Sequence, residues 1–163
     1  MDVDNTPTRV EELWFSDGSL VVQADQSLFR IYSGILAAHS AVFKDMLAFP
    51  QPPDAETIEG CPVVRLPDSS RDVTAFFKAI FDSSFFESYP SDTDFNTTIS
   101  ILRLSHKYTV EYLQRRALGH LSPLYPTTFA AYCQHTSASG FEELNLDEHH
   151  VAAIQIAQEV NAT

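Results

Sequence analysis

The feature that most constrains this chain is the stripe Val73, Phe76, Phe77, Ile80, Phe81. Its spacing is i, i+3, i+4, i+7, i+8, which predicts an amphipathic helix with one broad apolar face. Ser69-Ser70-Arg71-Asp72 precedes it as a weak capping box, with Asp72 three residues after Ser69. A helix carrying three phenylalanines on one face must be covered by other elements. The rest of the chain is read for what covers it.

Before the stripe, Leu20–Ala24 is short, β-branched and bounded by Asp17-Gly18 and Asp25-Gln26, which reads as a strand. Residues 27–32 read as its antiparallel hairpin partner, with Phe29 and Ile31 on one face. A short helical turn is expected at 35–38. Ser40 is placed to cap a helix bearing Val42, Phe43, Met46 and Leu47. Phe49-Pro50-Gln51-Pro52-Pro53 ends that helix, because proline lacks the N–H and restricts the residue before it. A loop over 50–62 leads to a third strand, Val63-Val64-Arg65-Leu66.

After the stripe, a helix restarts near Asp94 with Phe95, Ile99, Ile101, Leu102 and Leu104. Thr109 is placed to cap the next helix, with Val110, Leu113, Ala117, Leu118 and Leu121 inward, and Ser122-Pro123 ends it. A short helix over 129–133 and a last one over 148–160 follow. The order predicts an α+β fold, a small, mainly antiparallel sheet packed on a cluster of helices, with a helical C-terminal extension. The expected division is a polar lead-in at 1–11, a domain at 12–125 and the extension at 126–163.

Charge bears on partners. The chain has 163 residues, 22 acidic and 10 basic, for −12. Residues 1–116 hold all ten bases and 17 acids; residues 117–163 hold five acids and no Lys or Arg. Such a field repels nucleic-acid phosphates and anionic lipid, so no direct nucleic-acid or membrane partner is expected. Two cysteines do not make a disulfide framework. No apolar run is long enough to span a bilayer, and the acidic start Met1-Asp2-Val3-Asp4-Asn5 has no signal-peptide core. The expected compartment is intracellular, nucleus or cytoplasm.

Chemistry-bearing motifs are sparse. The five glycines are isolated, which excludes a Gly-rich phosphate loop. Cys133, His135, His149 and His150 are too scattered for a zinc-site pattern, so no metal, cofactor or catalytic set is expected. Asn96-Thr97-Thr98 and Asn161-Ala162-Thr163 read as chance glycosylation sequons. Phe85-Phe86 runs past the helical stripe into a polar loop. Adjacent residues do not share one helix face, so at least one is expected to meet something outside the core.

Together, Asp17-Gly18-Ser19-Leu20-Val21-Val22 and the stretch 28–47 resemble the opening of a BTB/POZ domain. Phe29, Leu36, Ala37, Ser40 and Phe43 fit that family's signature Phe-x-x-His-x-x-x-Leu-Ala-x-x-Ser-x-x-Phe. Leu104, Lys107, Tyr108, Leu113 and Ala117 are similar to its later Leu-x-x-Lys-Tyr stretch. Residues 49–53, 61–64 and 79–86 most resemble single-BTB proteins of mushroom-forming fungi, which usually continue with more helices. The resemblance implies a non-catalytic protein–protein interaction module that homodimerises. It also implies partners among cullin-3 ubiquitin ligases or transcriptional regulators.

Tyr32 stands where the signature has His, and Ser33 where an Arg often pairs with the conserved acid, here Asp17. A lone carboxylate lacks that bidentate partner, which argues against a corepressor groove of the animal type. The family's Tyr-Thr-Gly hairpin is replaced by Asp82-Ser83-Ser84-Phe85-Phe86-Glu87. The expected contact residues are Trp14, Phe15, Asp17, Tyr32, Ser33, Phe43, Met46, Leu47, Phe85 and Phe86. Trp14 and Phe15 would supply a swapped strand. The cullin face would come from helix 40–50, loop 82–93 and helix 110–121. The weaker rival is a small-molecule-binding or hydrolytic protein using the Phe-lined helix with His135 and His149.

Overall fold

The computed structural model describes residues 6–50, 52 and 54–123. The expected helices at 129–133 and 148–160, the Cys133/His135/His149 group and the sequon at Asn161 lie outside the described residues. Five strands and five helices run in the order β1 (Thr8–Trp14), β2 (Leu20–Ala24), β3 (Ser27–Ile31), α1 (Ser33–His39), α2 (Ala41–Ala48), β4 (Thr57–Ile58), β5 (Cys61–Leu66), α3 (Ser70–Phe81), α4 (Phe95–Lys107) and α5 (Glu111–Leu121). The class is α+β.

The sheet order is β1-β3-β2-β5-β4. β2 and β3 form the expected antiparallel hairpin, turned by Asp25-Gln26 with Asp25 at φ 47°. The Asp25 carboxylate accepts the backbone N–H of Ser70, tying this turn to the start of α3. The α1–α2 crossover then returns the chain so that β5 lies parallel to β2, and β1 runs parallel to β3. The sheet is therefore mixed, not mainly antiparallel. The helical crossover between β3 and β5 permits parallel pairing that a short turn cannot make.

Two further elements differ from expectation. β1 begins at Thr8, inside the stretch expected to be a polar lead-in, because Val10 and Leu13 find apolar cover against the main core. β4 interrupts the expected loop and pairs with β5 across Glu59-Gly60, both at positive φ (49° and 77°). A two-residue hairpin favours that backbone hand, and Gly60 adopts it without a Cβ clash.

β2 is covered on both faces. Leu20, Val22 and Ala24 join the main core with Phe29, Ile31, Phe43, Phe76 and Phe77. Val21 joins Leu28 and Cys61 in a smaller cluster on the opposite face. The α3 stripe packs as its spacing dictates: Val73, Phe76 and Phe77 are buried, while Ile80 and Phe81 are half-buried against the core. Phe29 meets Phe77 edge-on at 5.4 Å, and Phe43 stacks on Tyr108 at 4.5 Å.

Side-chain caps start α2, α3 and α4, while α1 starts from Tyr32 without one. Ser40 accepts the Phe43 N–H and Ser69 accepts the Asp72 N–H, both as the sequence indicates. Asp94 caps α4 by accepting the Thr97 N–H. Thr109 does not cap α5. It sits at φ 54°, and Val110 occupies the cap position with no side-chain bond. Leu118, expected inward, is 47 % exposed.

Candidate functional site

β1 distributes its aromatic end between the two sides of the sheet. Trp14 packs on the smaller cluster, with the Arg9 guanidinium 4.3 Å over its ring. Arg9 and Arg30 both pair with Glu59, at 2.6 and 2.7 Å, so the β4–β5 turn is pinned to β1 and β3. Phe15 faces the other way. Its ring stacks on Tyr32 at 4.9 Å and meets Phe81 at 5.6 Å. The structure therefore does not bring Trp14 and Phe15 into one patch.

Asp17, Tyr32 and Ser33 do come together. The Tyr32 hydroxyl donates to Asp17 Oδ1 at 2.7 Å. That hydrogen bond, helped by burial and by the carboxylate's charge, raises the phenol above its ordinary pKa. Ser33 shares a hydroxyl contact with Ser19 at 2.8 Å, and its N–H donates to the Ser19 oxygen. Tyr32 thus supplies a neutral partner for the acid.

Beside this group lies a groove of about 480 Å³ lined by Glu12, Leu13, Phe15, Lys78, Phe81, Asp82 and Phe85. The Lys78–Glu12 ion pair links its two walls, β1 and α3. The Asp82 carboxyl is held below its ordinary value, chiefly by hydrogen bonds from the Ser84 hydroxyl and N–H. Phe85 is half-buried here. Phe86 is 1 % exposed, against His120 at 5.2 Å, with its carbonyl accepting from Arg116. Phe86 is a core residue, which removes it from any contact surface in this conformation. Adjacent residues face different ways, as expected, and it is Phe85 that faces the groove.

Phe43 is fully buried and is likewise unavailable to a partner. Met46 and Leu47 are half-buried on the same helix. Ile35 on α1 (42 % exposed), Val42 on α2 (37 %) and Phe49 at the C-terminal cap of α2 (71 %) leave apolar side chains exposed on this helix pair. Cys61 is buried, and its thiol donates to the Gly18 carbonyl at 3.1 Å. Among the described residues, no group of three or more His, Cys, Asp or Glu is placed to hold a metal. No described helix is long and apolar enough to cross a membrane.

A second groove, of about 540 Å³, lies between Ser88-Tyr89 and α5, within the loop 82–93 and helix 110–121 expected to face a partner, although none of its lining residues is among the expected contact residues. Tyr112, Arg115, Arg116 and Gly119 line it at i, i+3, i+4 and i+7, one face of a helix. That spacing was the available signal, but it is polar, and only the apolar face of a helix is read readily from sequence. Burial raises the Tyr112 phenol's pKa, and the Arg116 charge partly offsets this.

No protein-family model matches the chain, and no curated protein matches it.

Proposed function

We propose that the chain is a BTB/POZ-type protein–protein interaction module that homodimerises inside the cell. The observation that carries this reading is the apolar α1–α2 face: Ile35, Val42 and Phe49 exposed, with Met46 and Leu47 half-buried beside them. Exposed apolar side chains gathered on one pair of helices mark a contact surface. A two-fold axis through such a patch makes it self-complementary. The strand pair, helix pair, strand and three following helices keep the order that the BTB/POZ resemblance implies. The groove lined by Leu13, Phe15, Phe81 and Phe85, with Glu12, Lys78 and Asp82 at its walls, offers a second surface.

Light scattering of the full chain at tens of micromolar tests this. The expected mass is twice the monomer's; a monomer at that concentration overturns the reading. The second reading is an adaptor for a cullin-3 type ubiquitin ligase. It is favoured by the groove between Ser88-Tyr89 and α5, because loop 82–93 and helix 110–121 are where that reading places the cullin contact. Retention of cullin-3 by the immobilised chain, beside a binding control, supports it; a blank lane removes it. Transcriptional regulators are the further class of partner that such a module takes.

A further inference from the structure

The chain carries −12, yet the groove beside α5 presents the opposite sign. Its lining is Ser88, Tyr89, Tyr112, Arg115, Arg116 and Gly119, with two guanidiniums and no carboxylate. Of the eight bases elsewhere, six are consumed internally: Arg9, Arg30, Arg65, Lys78, Arg103 and Lys107 are each ion-paired to the chain's own carboxylates, while Lys44 and Arg71 are exposed and lie outside this groove. Arg116 is held in place by the Phe86 carbonyl at 2.9 Å and lies 5.4 Å from the Tyr112 ring. Arg115 is exposed and forms no ion pair with a described residue; Glu111, one turn earlier on α5, does not reach it.

Apolar surface adjoins these charges. The Tyr89 ring is 56 % exposed, and Leu118 is 47 % exposed on the same helix. The Tyr89 and Tyr112 hydroxyls hydrogen bond to no described residue, so both are available as donors. Gly119 keeps the floor open: a Cβ there would meet only the Tyr89 Cβ, at 4.0 Å.

We infer that this groove binds an acidic peptide segment of a protein partner, with a carboxylate on Arg115 and an adjoining apolar side chain against Tyr89 and Gly119. Arginine holds a carboxylate in two parallel hydrogen bonds, which fixes its orientation as well as its charge. Beyond about 8 Å at physiological salt the chain's overall negative field is screened, so the guanidiniums decide the contact. The inference rests on reading the chain as an interaction module and adds the chemistry of what one of its surfaces takes.

The test uses the full chain on an array of short synthetic peptides in which Glu or Asp adjoins Leu, Phe or Tyr, with Lys-for-acid copies as controls. Acidic peptides are expected to retain the chain at least about tenfold better than their controls, the scale of one charged contact. Arg115→Glu and Gly119→Leu are each expected to abolish that preference while keeping wild-type circular dichroism and light-scattering mass. Equal retention of acid and Lys peptides, or a preference that survives Arg115→Glu, overturns the inference. A further arm replaces Glu142, Glu143, Asp147 and Glu148 by Gln in the full chain. A large gain in acidic-peptide retention there assigns the groove to the chain's own acids and overturns the partner in trans; unchanged retention supports that partner. The dimer mass is read independently, so loss of peptide binding with the mass intact sinks this inference alone.

Discussion

Ser40 does two jobs at one atom. Its oxygen accepts the Phe43 N–H at the start of α2, and its hydroxyl donates to the Tyr108 carbonyl at the end of α4, in a site 1 % exposed. Ser40→Ala removes the cap and strands a buried carbonyl. The expected cost is about 2–3 kcal/mol in urea unfolding. Asp94 carries a charge-dependent contribution. Burial would raise its carboxyl, but hydrogen bonds from Thr97 outweigh it and leave the pKa below its ordinary 3.8. A folded-state pKa that is depressed stabilises the fold above the ordinary value, and this is lost as pH falls below about 3.8. Asp94→Asn keeps a capping oxygen and drops the titration, so acid unfolding curves are expected to lose part of their slope with little change at pH 7. Ser40 and Ser69 were legible because capping is local: a hydroxyl residue ahead of an apolar period is enough. Thr109 has the same local look. Its left-handed backbone comes from a sharp α4–α5 turn, in which the Val110 N–H reaches back to the Ser105 carbonyl. Nothing in the residue type announces that geometry.

At the level of elements, the Phe stripe fixed where α3 points because its spacing is periodic and its partners are simply apolar. β1 was not legible. Thr8–Trp14 alternates poorly, carries Arg9, Glu11 and Glu12, and is held by pairing to β3 some nineteen residues away, for example Thr8 with Ser27. The mixed sheet was missed for the same reason, since parallel partners are distant in sequence. At α5 the resemblance pointed to the right loop and helix, but the lining residues themselves were hidden because their signal is a polar face. The sequence did indicate that Phe85 and Phe86 diverge, and the loop after α3 divides them. Phe86 is enclosed beside His120, whereas Phe85 lies along the β1–α3 groove. Phe86→Ala is therefore expected to cost about 3–5 kcal/mol in urea unfolding. Phe85→Ala is expected to cost less than about 2, since part of its ring is already in water. Equal losses would show that both rings are core. Gly119→Ala works in the other direction. It replaces a glycine in the last turn of α5 where there is room for a methyl group, so α5 should gain up to about 0.5–1 kcal/mol, read as a raised melting temperature.

For the whole molecule, the competition is between exposed apolar side chains on α1 and α2 and a strongly negative chain. Pairing two copies through Ile35, Val42 and Phe49 removes apolar surface from water, while it brings together two bodies of −12 each. The first term is insensitive to moderate salt; the second is not. At 0.01 M salt the screening length is about 30 Å, comparable to a domain, and at 0.15 M it is about 8 Å. Dimerisation by the apolar face is therefore expected to tighten as salt rises over that range, measured by sedimentation equilibrium. Val42→Glu places a charge on each copy's contact face. Because a two-fold interface presents the same position from both copies, it should give a monomer at every salt concentration. Its fold should persist, since Val42 is 37 % exposed on the surface of α2. Melting temperature should rise with concentration for the wild type and not for this variant, because association stabilises by mass action. If salt instead loosens the wild-type dimer, the interface is built on ion pairs. The contact would then move from the α1–α2 face to the charged edges of the sheet.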